Sequence, residues 1–285
     1  MATLYFQGDL AGVEQHFTVG LKYFEHPTFR RSPGFTVSTF GFASLNAWTL
    51  GRADLARQRM ALTIAAANAN NPFDVAFFEN YAAELRANLR EYKEAEASVA
   101  RALELSEKHE FRSLASTSKC ILGWVRAELG RATEGAALIR QGITARLELG
   151  LRLRIGLFRA FLAITQERAG AMIDALATLE QAIQENSDEL VYRSELLRLR
   201  GELLYKQTQI DLAEADFRQS VAVAQNIAAR AWELRATTSL ARLLRDTNRC
   251  DEGRGLLAKI YDWFTEGFDT ADLKDAKALL QELSR

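Results

Sequence analysis

Leu89-Arg90-Glu91-Tyr92-Lys93-Glu94-Ala95, with Ala83 before it and Ala102-Leu103-Glu104-Leu105 after it, decides the fold of this 285-residue chain. Two stretches that can be helical flank a short turn, and each carries a small residue where the two would cross. The small residue of the second stretch recurs as Ala56, Ala95, Gly135, Ala175, Ala215 and Gly253, at steps of 39, 40, 40, 40 and 38 residues. A fixed period of this size is the mark of a helical repeat array. The small residue of the first stretch recurs alongside it as Ser44, Ala83, Gly123, Ala163, Gly201 and Ala241. Small side chains there let two helix backbones approach closely.

Gly51, Arg90, Gly130 and Gly170 mark the turns. Glycine is expected there because helices commonly end on a left-handed residue, which glycine adopts at little cost. The unit beginning at Gly201 departs from the frame, since Lys206-Gln207-Thr208-Gln209-Ile210 makes a turn about two residues longer on a strict count. Apolar positions such as Leu176, Leu179 and Ile183, or Leu240, Leu243 and Leu244, follow the three-four spacing of one buried helix face.

The unit 83–105 resembles the tetratricopeptide repeat, in which the first helix ends in a turn followed by an acidic residue, an aromatic and a small residue. The period here exceeds the roughly 34 residues of the common unit, which implies longer helices, as in the extended variety found in large bacterial regulators. The expected fold is all-α: one right-handed, tetratricopeptide-like solenoid over 1–285. Its repeats are 1–26 (incomplete), 36–70, 72–110, 111–150, 151–187, 188–226 and 227–267, with a cap helix over 269–284. Asp269 or Thr270 would be the cap helix's N-cap, and Leu273, Ala276, Leu279 and Leu280 would face the last repeat. At the other end, Leu4-Tyr5-Phe6-Gln7-Gly8 resembles the remnant of a protease-cleavable tag. The competing and favoured reading makes Gly8-Asp9-Leu10-Ala11 a helix–helix turn before a helix holding Val13, Phe17 and Leu21. The chain would then begin inside a repeat, as a piece of a longer protein.

Lys and Arg number 36 against 37 Asp and Glu, a balance that argues against a dedicated nucleic-acid binder. Cys120 and Cys250 lie 130 residues apart and form no disulfide framework or Cys-x-x-Cys site. All three prolines (Pro27, Pro33, Pro72) fall between helical stretches. No apolar run approaches the roughly 20 residues that span a bilayer, and no secretory signal opens the chain, so a cytoplasmic location is expected.

From Ala231-Trp232-Glu233-Leu234-Arg235-Ala236-Thr237-Thr238-Ser239-Leu240-Ala241-Arg242-Leu243 to Tyr261-Asp262-Trp263-Phe264-Thr265-Glu266-Gly267-Phe268-Asp269-Thr270-Ala271-Asp272-Leu273, the chain resembles the tail of bacterial signal-transducing ATPases. In that family an adenylate-cyclase-like or winged-helix domain and an ATPase module precede a long tetratricopeptide region. The resemblance implies a protein-interaction or ligand-sensing module of a signalling or transcription regulator, and no enzyme. No Gly-x-x-x-x-Gly-Lys-[Ser/Thr] loop is present to cradle phosphates, and Gly253-Arg254-Gly255 is too short to replace one.

His16, His26 and His109 are not spaced for metal binding, and neither a cofactor nor a metal is expected. Arg140, Arg146, Arg152, Arg154 and Arg159 form a run that suits either an anionic partner or a solvated face balanced by Glu134, Glu148 and Glu167. Cys120 is expected to be buried and inert. Counting from the small residue of each first helix, the inward positions include Leu45, Ile164 and Glu167. Those chosen as candidate partner-binding residues of the concave face are Trp48, Glu84, Asn88, Trp124, Glu202, Tyr205, Arg242 and Arg245. The inner position beside the small residue carries no Asn, unlike the clamp that grips carboxyl-terminal peptides. The expected partner is a protein or peptide, with neither nucleic acid nor membrane contacted directly. A self-association scaffold and a small-molecule pocket between inner helices, favoured by aromatics around Trp124, stand as alternatives.

Overall fold

The computed structural model describes residues 1–23, 34–185 and 189–284. Pro27, Pro33, His26 and the expected repeat boundaries at 26 and at 187–188 lie outside the described residues. Among the described residues fifteen α-helices follow one another: α1 (Ala2–Phe6), α2 (Leu10–Leu21), α3 (Phe35–Thr49), α4 (Ala53–Ala66), α5 (Pro72–Asn88), α6 (Tyr92–Lys108), α7 (Arg112–Glu128), α8 (Ala132–Glu148), α9 (Ile155–Arg168), α10 (Met172–Glu185), α11 (Leu190–Lys206), α12 (Ile210–Asn226), α13 (Arg230–Asp246), α14 (Cys250–Tyr261) and α15 (Ala271–Glu282). Gly8, at φ +80°, turns the chain from α1 to α2, and the Asp9 carboxylate accepts the Gly12 N–H at 2.8 Å to cap α2.

The turn inside each pair is one left-handed residue, at Gly51, Arg90, Gly130, Gly170, Thr208 and Asn248. The unit at Gly201 therefore has a turn of ordinary length, with Thr208 where others carry glycine. This corrects the expected two-residue insertion and moves the small residue that follows. The frame position is Ala213, fully buried, while Ala215 is exposed. Along α12, Ala213, Phe217, Ser220 and Ala224 form one stripe with no exposed surface, at the spacing of a single helix face.

Odd-numbered helices from α3 to α13 pack against one another as an inner layer, and each even-numbered helix from α4 to α14 packs outside between its own partner and the next pair. The crossings are as close as the small residues allow. A Cβ at Gly123 would lie 2.5 Å from the Gly135 carbonyl oxygen and 2.6 Å from Ile139 Cγ1. Elsewhere at the same level, Ser44 donates its hydroxyl to the Ala56 carbonyl at 2.6 Å, and the Phe217 ring fills the space beside Gly201. The cap helix starts at Ala271 with Thr270 as N-cap, and Leu273, Ala276 and Leu279 are buried against the last pair.

The stack does not stay open, because its far end meets its start. α13 packs on α3, and α1 packs on α11. Tyr5 and Phe6, 2% and 4% exposed, lie edge-on or tilted against Phe42 of α3 and Tyr192 of α11. The concave interior is thereby largely filled by side chains.

Gly123→Ala is expected to destabilise the fold by about 1–3 kcal/mol through overpacking at the α7–α8 crossing, outweighing the roughly 1 kcal/mol that alanine gains over glycine within a helix. Urea titration measures it, and a variant as stable as the parent would contradict this packing.

Candidate binding cleft at the superhelix axis

Closure sorts the candidate residues into three environments. Trp48 is 4% exposed and packs edge-on against Trp232 of α13, ring centroids 4.6 Å apart. The Arg235 guanidinium lies 5.1 Å from the Trp48 ring centroid and 5.2 Å from that of Trp232, so one cation bridges the two indoles. Glu84 is also sealed, with its carboxylate 2.6 Å from Arg154. Asn88, 9% exposed, gives its backbone carbonyl to Arg235 at 2.6 Å. These three stand inside the seam between the two ends of the stack, which corrects their expected place on an open concave face.

Arg154 belongs to the arginine run that suits an anionic partner in the sequence. It reaches across the axis to Glu84, and the Glu189 carboxylate accepts its backbone N–H at 2.7 Å. Burial opposes its charge, but the Glu84 carboxylate holds its pKa above the ordinary arginine value. Arg146 donates to Thr117 Oγ1 at 2.9 Å and the Leu153 carbonyl at 2.8 Å; burial, then the neighbouring charge of Arg154, brings its pKa down to about 10. Arg159 pairs with Glu185, while Arg140 and Arg152 are exposed. The run therefore serves several separate purposes and makes neither one anion site nor one solvated face. Burial pushes the Cys120 thiol up to about 12, as suits an unreactive core residue.

Trp124, Glu202 and Arg242 do converge. They line a cleft of about 330 Å³, at the small end of ligand-sized pockets, between the inner helices α7, α9, α11 and α13. Its apolar floor is Trp124 with Tyr92, Ile164 and Leu199, and Trp124 stacks on Phe161 with centroids 4.2 Å apart. Its walls are charged and paired. Arg168 meets Glu128 at 2.6 Å, Lys206 meets Glu167 at 2.6 Å, and Arg198 meets Glu195 at 2.7 Å. Burial works against Arg198, and Glu195 outweighs it, so its pKa lies above the usual value. Glu202 accepts the Ser239 hydroxyl at 2.6 Å, while Arg242 has its nearest carboxylate, Asp275, at 4.0 Å.

Tyr205 and Arg245 stand apart from the cleft. The Tyr205 hydroxyl donates to Asp246, and Arg245 reaches Glu282 of the cap helix at 2.6 Å. Below the floor, a chamber of about 30 Å³ shares Trp124, Ile164, Glu195, Leu199 and Arg235 with the cleft. It has room for only a few water-sized groups, so the ligand-sized space beside Trp124 is the cleft and not this chamber.

Sequence reasoning missed Glu195, Arg198, Arg235 and Ser239, which lie one and two turns before the chosen positions on the same helix face. Extending the inner stripe backwards by three-four steps finds them. It does not find Arg90 or Tyr92, from the turn and start of outer helix α6, or Asp272 and Asp275 of the cap helix. Among the described residues no group of three or more His, Cys, Asp or Glu could hold a metal ion, and no helix is long and apolar enough to cross a membrane.

No family model matches the chain. A curated relative, an uncharacterized protein of Rhizobium meliloti (strain 1021), is 27% identical over 214 residues, 73% of this chain and 20% of that protein's length. The chain thus spans about a fifth of the relative it matches. Solved structures agree with the fold over nearly its whole length. NprR in complex with its cognate peptide NprX superposes with a TM-score of 0.65 at 13% identity, over 97% of this chain and 78% of that one. A Rap protein complexed with Competence and Sporulation Factor gives 0.61 at 11% identity, over 97% and 85%. A tetratricopeptide repeat protein from Parabacteroides merdae ATCC 43184 gives 0.56 at 14% identity, over 98% and 93%. At such identities the likeness is one of fold, and the fold is an all-α solenoid of tetratricopeptide type.

Burial holds the phenols of Tyr5, Tyr81 and Tyr192 well above the ordinary tyrosine range. Their folded-state pKa values exceed the unfolded value of about 10, so the stability they contribute is present below that pH and is lost as pH rises towards the folded values. Absorbance titration at alkaline pH is expected to show these three tyrosinates only as the helical signal collapses. Their reversible ionisation in a folded chain would contradict the filled axis.

Proposed function

We propose that the chain is a non-enzymatic binding module of a longer bacterial signalling or transcription regulator, and that it holds a peptide or protein segment in the axial cleft. The observation that carries this reading is the cleft's composition: an apolar aromatic floor between walls of paired charges. Such a surface can bury an apolar side chain of a peptide while its polar groups exchange hydrogen bonds with the walls. Trp124, Glu202 and Arg242 are the contact residues among those read from the sequence, with Arg168, Arg198, Leu199 and Lys206 beside them.

Two of the structures that share the fold were solved with a peptide or signalling factor bound, which supports a peptide as the occupant. The regulator context is supported by the resemblance of residues 231–273 to the tails of signal-transducing ATPases, and by a relative about five times as long as the matched stretch.

Phage-displayed random peptides selected on the immobilised chain test the reading. Selected peptides are expected to lose at least about tenfold in affinity, roughly 1.4 kcal/mol, when Leu199→Trp narrows the cleft or Lys206→Glu reverses charge at its rim. Peptides that bind both variants as well as the parent chain would place recognition elsewhere and overturn it.

A further inference from the structure

The segment Glu266-Gly267-Phe268-Asp269-Thr270-Ala271-Asp272-Leu273-Lys274-Asp275 carries four carboxylates against one lysine, with an acidic residue at every third position. All four carboxylates leave their own repeat and meet the first half of the stack or the inner face of α13. Glu266 Oε1 accepts the backbone N–H groups of Asp54 and Leu55, at 2.9 and 3.1 Å, in the first turn of α4. The residue before that helix, Arg52, offers no side-chain cap, so a carboxylate 212 residues away supplies it. Asp54 returns the favour by accepting the Gly267 N–H at 3.2 Å. Arg57 donates to Asp269 at 3.1 Å while its other terminal nitrogen reaches Glu91 at 3.1 Å.

Further along, Arg90 reaches Asp275 at 2.7 Å and Asp272 at 3.6 Å. Arg235 donates to Asp272 at 2.7 Å, and Arg242 lies 4.0 Å from Asp275. The seat is thus the N-terminus of α4 together with Arg57, Arg90, Arg235 and Arg242. Close approach is secured by glycine on both sides. A Cβ at Gly51 would lie 2.9 Å from the rings of Trp263 and Phe264, and one at Gly267, whose φ is +73°, would lie 2.9 Å from Ala53 Cβ.

We propose that this segment is a built-in acidic strap occupying a basic seat, and that an acidic segment of a partner protein exchanges with it. Three features favour exchange over permanent closure. The ion pairs of Arg57 with Asp269 and of Arg90 with Asp275 are at least one-third exposed on both sides, a setting in which water and salt compete with each contact. Residues 262–270, which carry Glu266 and Asp269, belong to no helix. The cap helix also keeps its own apolar seat on the last pair, through buried Leu273, Ala276 and Leu279, which involves neither Glu266 nor Asp269. Release of Glu266 and Asp269 would uncover the α4 N-terminus and free one side of Arg57, while Asp272 and Asp275 stay on the cap helix with Arg90, Arg235 and Arg242. The inference concerns the seat and does not rest on what the cleft itself holds.

The probe is the strap's own sequence. A fluorescein-labelled peptide of residues 262–277 is added to the full chain and to its Glu266→Ala/Asp269→Asn variant, with helical content checked by circular dichroism. The variant is expected to bind at least about tenfold more tightly than the parent chain, and a peptide with its Asp and Glu replaced by Asn and Gln is expected not to bind. Equal binding to parent and variant, equal binding of the neutralised peptide, or no binding to a folded variant would overturn the proposal. If the variant does not fold, hydrogen exchange on the unmodified chain decides. Between 50 and 500 mM salt, the Asp54 and Leu55 amides are expected to exchange several-fold faster while those of Glu134 and Gly135 in α8 do not change. Equal responses in the two helices would overturn it.

Discussion

The packing of Trp48 on Trp232, with Arg235 across both rings, is the contact on which the interior of this molecule depends. A solenoid of helix pairs needs only neighbour contacts, and it would ordinarily leave its concave face open to solvent. Here α13 comes round to α3 and α1 to α11, so residues more than 180 apart in sequence share one seam. The aromatic rings and the Glu84–Arg154 pair then fill the axis. A buried ion pair of this kind is weak evidence for stability, but removing one partner leaves a charge with nothing to compensate it, at a cost of about 3–5 kcal/mol. The seam therefore tolerates little rearrangement once formed, and the cleft is the part of the concave face that closure leaves accessible.

The cap helix and an early outer helix add to what the cleft offers. An open tetratricopeptide groove presents residues from its inner helices alone. This cleft also draws Asp272 and Asp275 from the cap helix, with Arg90 and Tyr92 from the turn and outer helix of an early pair. Every basic group on its wall except Arg242 lies within 3 Å of a carboxylate. Such a surface has little net charge to attract a strongly charged ligand. It favours a partner that exchanges hydrogen bonds one for one and gains its affinity from the aromatic floor.

Much of the fold was legible because close helix crossings require small residues, and small residues at a fixed spacing are visible in a sequence. Ala56, Ala95, Gly135, Ala175 and Gly253 are all buried at crossings. The frame departs from the fixed period at Ala213, not Ala215, because the turn before it is short without a glycine. Thr208 takes the left-handed conformation, at φ +60°, and keeps the turn short. The cleft was only half legible. Trp124, Glu202 and Arg242 follow from helix periodicity, which acts within a repeat. Trp48, Glu84 and Asn88 have the same periodicity but are sealed by helices far away in sequence, and no local pattern encodes that meeting. Glycine at position 51 carries both kinds of information: it ends α3 as the period demands, and it leaves space for Trp263 and Phe264, which the period says nothing about.

The central claim is that the two ends of the stack meet in solution. A double electron–electron resonance measurement tests it most directly, with spin labels on Ala61→Cys in α4 and Lys277→Cys in α15, both exposed sites, in a Cys250→Ser background. The account predicts one narrow distance distribution at low salt, matching the separation across the closed seam. A broad distribution centred at much longer distances would mean that the solenoid is open, and that the filled axis and the strap are not features of the folded chain.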